Sequence, residues 1–225
     1  MDCQEIIKEL RKQANAKNVA GMARFGITST NTLGISIYTL RDIAKKINTF
    51  KGSTLKGRHS LAIKLWNSKI HEARILASMV DVPELVGAKQ MDLWVGDFDS
   101  WDVCDQVTSN LFDKTPYAYK KVFEWVKDER EFVRRAAFAL IAALAWQDKD
   151  AHDKDFKPFF PLIKKYSTDD RNFVKKAVNW ALRNIGKKRP GLKKEAIEIA
   201  KKLEQTGDRT ARWIAKDALR ELNNK

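Results

Sequence analysis

The segment DEREFVRRAAFAL at 128–140 returns 41 positions later as DDRNFVKKAVNWAL, with Phe132, Val133, Arg134, Arg135 and Ala136 answered by Phe173, Val174, Lys175, Lys176 and Ala177. A repeat of this length confines the chain to a stack of two- or three-helix units. One unit cannot bury its own apolar stripe and needs its neighbour to do so. A weaker third copy, GDRTARWIAKDALREL at 207–222, shares its ALR with Ala181, Leu182 and Arg183.

The rest of the sequence agrees with this. Apolar residues recur at spacings of three and four, and no stretch alternates with period two long enough to read as a strand. The pattern predicts helices near 2–16, 18–28, 38–48, 58–67, 70–81, 84–95, 100–113, 116–127, 131–147, 156–167, 170–186, 191–205 and 209–223. Pro83, Pro116 and Pro190 stand where helices would begin, with Thr115 a natural cap before Pro116. The expected architecture is all-α, an α-α superhelix or solenoid of HEAT-like helical repeats forming a single domain over 1–225, with a concave basic face.

Charge narrows the partner. The 225 residues carry a formal net charge of +14, and Arg171 to Lys225 alone holds 16 Lys/Arg against 6 Asp/Glu. Such a balance in a folded chain points to a polyanion, with an anionic membrane surface or RNA as the other possibilities. The two cysteines, Cys3 and Cys104, offer neither a CxxC spacing nor a disulfide framework, which fits a reducing compartment. His59, His71 and His152 stand singly, so no metal is expected. No apolar run has the length of a membrane span, and MDCQEIIKEL reads as an amphipathic helix and not as a signal peptide.

Four residues on three helices fall outside the predicted core. On the helix at 131–147 the stripe is Val133, Ala137, Leu140 and Leu144, and Arg135 projects nearly opposite. On the next copy Val174, Val178, Ala181, Leu182 and Ile185 form the stripe, and Trp180 lies well off it, beside Lys176, Arg183 and Asn184. The repeat places Ala139 at the equivalent position and so does not demand an aromatic there. On the helix at 100–113, Ser100 suits the N-cap and Asp102 the first turn. Trp101 and Asp105 share a face turned from Val103, Cys104, Val107 and Leu111, and no capping role is left for Asp105. Each could be an ordinary solvated or covered residue. Together, two indoles, one carboxylate and one guanidinium suit a sugar that gains positive charge as an N-glycosidic bond breaks.

GMARFGI (21–27), NTLGISIYTLRDIAKKI (31–47), WDVCD (101–105), VRRAA (133–137) and KKAVNWALR (175–183), in this order, resemble the AlkD-like DNA alkylation repair glycosylases over nearly the whole chain. The resemblance implies excision of positively charged N3- and N7-alkylated purines from double-stranded DNA, with no cofactor, by a monomer in the cytoplasm or on the nucleoid. It places the catalytic aspartate on Asp105, the sugar-facing rings on Trp101 and Trp180, and the active-site arginine on Arg135. It adds DNA contacts around Phe25, Ser36 and Arg41, and Lys175, Lys176 and Arg183, on the same helix as Trp180, are expected to contact DNA as well. One carboxylate suffices because a cationic purine leaves neutral, without a second acid. No cluster of aromatic and amide side chains at one place is evident, so the base itself is expected to go unread. The rival readings are a noncatalytic HEAT-repeat module binding duplex or branched DNA, and a protein-interaction scaffold.

Overall fold

The computed structural model describes residues 2–28 and 30–223, and among these there is no strand, as the spacing of apolar residues predicts. The chain divides into two compact units, Met1–Pro116 and Tyr117–Lys225.

The first unit holds α1 (Cys3–Lys12), α2 (Ala16–Ala23), α3 (Ile37–Asn48), α4 (Leu55–Asn67), α5 (His71–Val80), α6 (Ala88–Gly96) and α7 (Trp101–Asn110). At its centre α5 packs against α3, α4 and α7, and nine of its ten residues are buried. Around it Trp66 stacks on Trp94 with ring centroids 4.1 Å apart. The predicted start at residue 84 is instead a 3-10 turn, Pro83–Leu85, after which α6 begins at Ala88.

A carboxylate at the start of α5 organises the loop before α3. Buried Glu72 accepts hydrogen bonds from the backbone N–H groups of Leu33, Gly34 and Ile35 at 2.6–3.2 Å. The loop can bend this tightly because Gly34 has φ +79°, and a Cβ there would lie 2.3 Å from the Asn15 carbonyl oxygen. Gly34→Ala should therefore destabilise the protein by roughly 1–3 kcal/mol, read as a lower midpoint in urea. An unchanged midpoint would show that the loop relaxes at no cost.

The second unit holds α8 (Ala118–Trp125), α9 (Glu131–Gln147), α10 (Asp153–Phe156), α11 (Phe159–Lys165), α12 (Asn172–Lys188), α13 (Lys193–Glu204) and α14 (Arg209–Asn223). The repeat seen in the sequence is a packing relation. The two helices of the 41-residue match, α9 and α12, lie against one another, and the equivalent rings Phe132 and Phe173 meet at 5.5 Å. The third copy packs the same way, α14 on α12, with Asn179 donating to Asp217 at 2.6 Å.

Two expectations change here. Thr115 does not cap a helix starting at Pro116, because its hydroxyl turns back to the Phe112 carbonyl and α8 begins at Ala118. The single helix expected at 156–167 is two, α10 and α11. Pro158 stands between them, and its missing N–H cannot continue the ladder of α10.

Candidate functional site

In the first unit, α7 buries Val103, Cys104 and Val107 and leaves Trp101 and Asp105, one turn apart, partly exposed. This is the arrangement the helical wheel predicts. The Trp101 indole N–H donates to the Phe25 carbonyl at 3.0 Å, tying α7 to the turn after α2.

Ser100 occupies the N-cap of α7, but its hydroxyl donates to Asp102 Oδ1 at 2.6 Å and does not accept from the helix. The other Asp102 oxygen meets His71 Nε2 at 2.8 Å. Sequence reasoning gave Asp102 a purely helix-dipole role and saw no partner for His71, because the two stand 31 residues apart. Burial works against the His71 imidazolium, yet the hydrogen bond and charge of Asp102, with Glu72 and Asp99 further off, raise its pKa. Burial also works against the Asp102 carboxylate, and its bonds to His71 and Ser100 still lower its pKa.

The raised histidine stabilises the fold fully below its ordinary pKa of about 6.5 and loses this as pH rises through its folded value. The lowered aspartate stabilises it above about 3.9 and loses this as pH falls through its folded value. Asp102→Asn should therefore cost about 1–3 kcal/mol at pH 5.5 and less at pH 8.5. Thermal unfolding at the two pH values checks this, and equal losses would mean that Asp102 does not hold a proton on His71.

Beside this pair lies a cleft of about 680 Å³, lined by α2, the loop before α3, and α3, α5 and α7. Phe25, Ser36 and Arg41, three of the expected DNA contacts, all line it, together with Trp101. Its walls are mainly apolar, with Asn18 and Gln106 as amides. The expectation that no aromatic and amide cluster exists is corrected for this unit. The contributing segments lie far apart in sequence, as the 76-residue separation of Phe25 and Trp101 illustrates, and no linear motif joins them. Ser36 also caps α3, accepting from the Thr39 N–H at 3.2 Å.

In the second unit, Val174, Val178, Ala181, Leu182 and Ile185 are fully buried and Trp180 stays partly exposed, as the wheel predicts. Lys176 is exposed, and Lys175 places Nζ 5.5 Å from the ring of Trp213, an exposed indole that sequence reasoning passed over. Its RTARW context in a basic third repeat was the available signal.

Two expected contacts stand differently. Arg183 is held by acids of α14, Glu221 and, at 3.4 Å, Asp217, so its charge is already compensated. Arg135 lies opposite the predicted stripe but is only 5 % exposed, and its Nη1 donates to the Phe173 carbonyl at 2.6 Å. The cause is that α9 is buried around most of its circumference, with twelve of seventeen residues inside, so the face opposite the stripe is covered too.

Among the described residues no group of three His, Cys, Asp or Glu is placed to hold a metal ion, and no helix is long and apolar enough to cross a membrane.

These features define an all-helical repeat protein of a known class, and the chain belongs to the family described as DNA alkylation repair enzyme, whose pattern matches residues 6–222. A solved structure described as one of "a new family of proteins related to the HEAT-like repeat DNA glycosylases with affinity for branched DNA structures" superposes with a TM-score of 0.78 at 18% identity, covering 98% of this chain and 95% of that one. This likeness establishes the fold. A crystal structure of an engineered protein, 16% identical over 96% of each chain, has a TM-score of 0.41 and carries no argument. Among curated proteins nothing matches.

Proposed function

We propose that this protein is a DNA glycosylase that hydrolyses the N-glycosidic bond of positively charged N3- and N7-alkylated purines, 3-methyladenine and 7-methylguanine among them, in duplex DNA. The observation that carries the reading is the pairing of Trp101 and Asp105 on one face of α7, both partly exposed, in a member of a DNA alkylation repair family. In this reading the Asp105 carboxylate stabilises the positive charge that develops on the deoxyribose and positions the attacking water. Trp101, one turn before Asp105, presents its ring face to this cationic sugar, and Trp180, partly exposed on α12, offers a ring to the DNA. Arg135, buried and bonded to the Phe173 carbonyl, serves as a positioning residue. Lys175 and Lys176, with Arg41, supply charge toward phosphates.

The chemistry needs no pocket around the damaged base, since a cationic purine is already activated for departure. Selectivity then follows the lesion's charge, and the size of the alkyl group matters little. The test is a set of duplexes carrying 7-methylguanine, a bulky cationic N7 adduct, hypoxanthine or uracil at one position. The two cationic lesions should be released and the two neutral ones retained. Release of the methylated base alone would point to an enclosing, size-selective pocket and contradict the reading.

A second reading has an observation of its own in the structural relative described by its affinity for branched DNA. In that case this chain binds distorted DNA and releases no base from any of the four duplexes.

A further inference from the structure

α2 stands out among the helices of the first unit because none of its residues is buried. Its inward side, Lys17, Asn18, Gly21 and Met22, faces the cleft, whose far wall is made by Ile35, Leu40 and Ile75. A short helix with no buried residue needs other restraints, and besides the close approach of Gly34 to Val19 these are polar and peripheral. The Asn15 N–H donates to the Leu33 carbonyl at 2.7 Å, and the Asn18 amide donates to the Gly34 carbonyl at 2.9 Å. At the opposite end the Trp101 indole holds the Phe25 carbonyl. The loop that receives the first two bonds is itself clamped by Glu72. The cleft is thus built and held open, not left over from loose packing, and its volume lies within the range of small-ligand sites, about 300–1,000 Å³.

Its chemistry selects an occupant. Apolar walls and two aromatic residues at the rim, Phe25 at 75 % exposure and Trp101, favour a flat ring. The Asn18 and Gln106 amides offer donors and acceptors for a ring edge. Lys17 and Arg41, both exposed, stand at the same cleft and offer charge for phosphates. We propose that this cleft binds the base of an undamaged nucleotide displaced from the DNA stack, with its flanking phosphates on Lys17 and Arg41. The site adjoins the chemistry assigned to Asp105, since Trp101 lines the cleft one turn before Asp105 on α7. It rests on the DNA-binding part of the proposed function and not on base excision.

Gly21 provides the decisive variant. It lines the cleft from α2, and a Cβ added there meets nothing within 4 Å. Gly21→Trp therefore places its Cβ in open space at the cleft and sets an indole against it, and it replaces a glycine in a helix, a change that favours helix formation. Phe25→Ala, at an exposed ring, is a second variant that leaves the core untouched.

The probe is a duplex with one unpaired 2-aminopurine nucleotide, set against the same duplex with an abasic spacer in the bulge and against the fully paired duplex. The full-length protein should bind the bulged base at least about fivefold tighter than the abasic bulge, in line with the stacking of one base on aromatic side chains. The 2-aminopurine emission should change on binding. Gly21→Trp and Phe25→Ala should reduce affinity for the bulged base toward that for the abasic bulge. The free 2-aminopurine deoxynucleoside, which has the ring but no phosphate, should compete only weakly.

Equal affinity for base-bearing and abasic bulges, or a full preference retained by Gly21→Trp, overturns the site while leaving duplex binding and the proposed function standing. Strong competition by the free nucleoside overturns the phosphate-bearing occupant. Failure to bind any of the three DNAs overturns both the site and the proposed function.

Discussion

Asp105→Asn should leave binding to alkylated duplex DNA within about twofold of wild type and lower the single-turnover rate of base release by about 10²–10³, the cost of removing one preorganised stabiliser of developing charge. The amide keeps the size and shape of the side chain and removes its negative charge, so the ground-state complex changes little. The oxocarbenium-like transition state then lacks the carboxylate that the proposed function sets beside the sugar. Trp101→Ala should also slow release, but part of its effect should appear in binding, and through the loss of its bond to the Phe25 carbonyl it should loosen the turn after α2 as well. The two variants are thus separable: one is a rate defect at constant affinity, the other mixed. Wild-type release by Asp105→Asn would remove Asp105 from the mechanism, whatever the protein's activity.

Glu72→Ala should have the largest effect on stability, a loss on the order of 3–5 kcal/mol, because removing one member of a buried charged network strands its partners. The backbone N–H groups of Leu33, Gly34 and Ile35 all converge on this carboxylate, two of them in buried bonds. No other acceptor is supplied when it goes. Glu72→Gln should fall between, since the amide retains one accepting oxygen without the charge. Urea unfolding of the full chain checks the order. A change within about 0.5 kcal/mol, as for an ordinary surface substitution, would mean that the loop before α3 does not depend on Glu72. The same variant should weaken the cleft, since the clamped loop receives the bonds that hold α2.

The repeat was the most legible part of the sequence. Matching the two copies by sequence alone aligned Phe132 with Phe173, and the two rings meet in the structure because a stack of similar helices reuses one solution for burial. Helix ends were less legible where a 3-10 turn competes with an α-helical start, as at Pro83–Leu85 and before α8. Trp101, Asp105 and Trp180 could be singled out on a helical wheel because each lies off the buried stripe of its own helix. Arg135 shows the limit of that device. A wheel says which way a side chain points, but not whether another helix already covers that direction, and α9 is covered around most of its circumference. Arg183 illustrates a second limit, since its neutralising partners come from α14, 34 and 38 residues on. The His71–Asp102 pair, the Glu72 clamp and the cleft below α2 were illegible for the same reason. Each depends on contacts between segments distant in sequence, and none leaves a local pattern.

The central claim is that this chain is a hydrolase for cationic purine lesions and not only a DNA-binding repeat protein. The most direct measurement is release of free base from a duplex with 7-methylguanine at one position, with the abasic strand quantified in parallel. Wild-type protein in excess is followed over time against a no-protein control and Asp105→Asn. The account predicts that 7-methylguanine and abasic sites accumulate in equal amounts with wild type, well above spontaneous depurination, and that Asp105→Asn falls back toward the control. Tight binding of the same duplex with release no faster than the control would contradict it and leave the noncatalytic reading in its place.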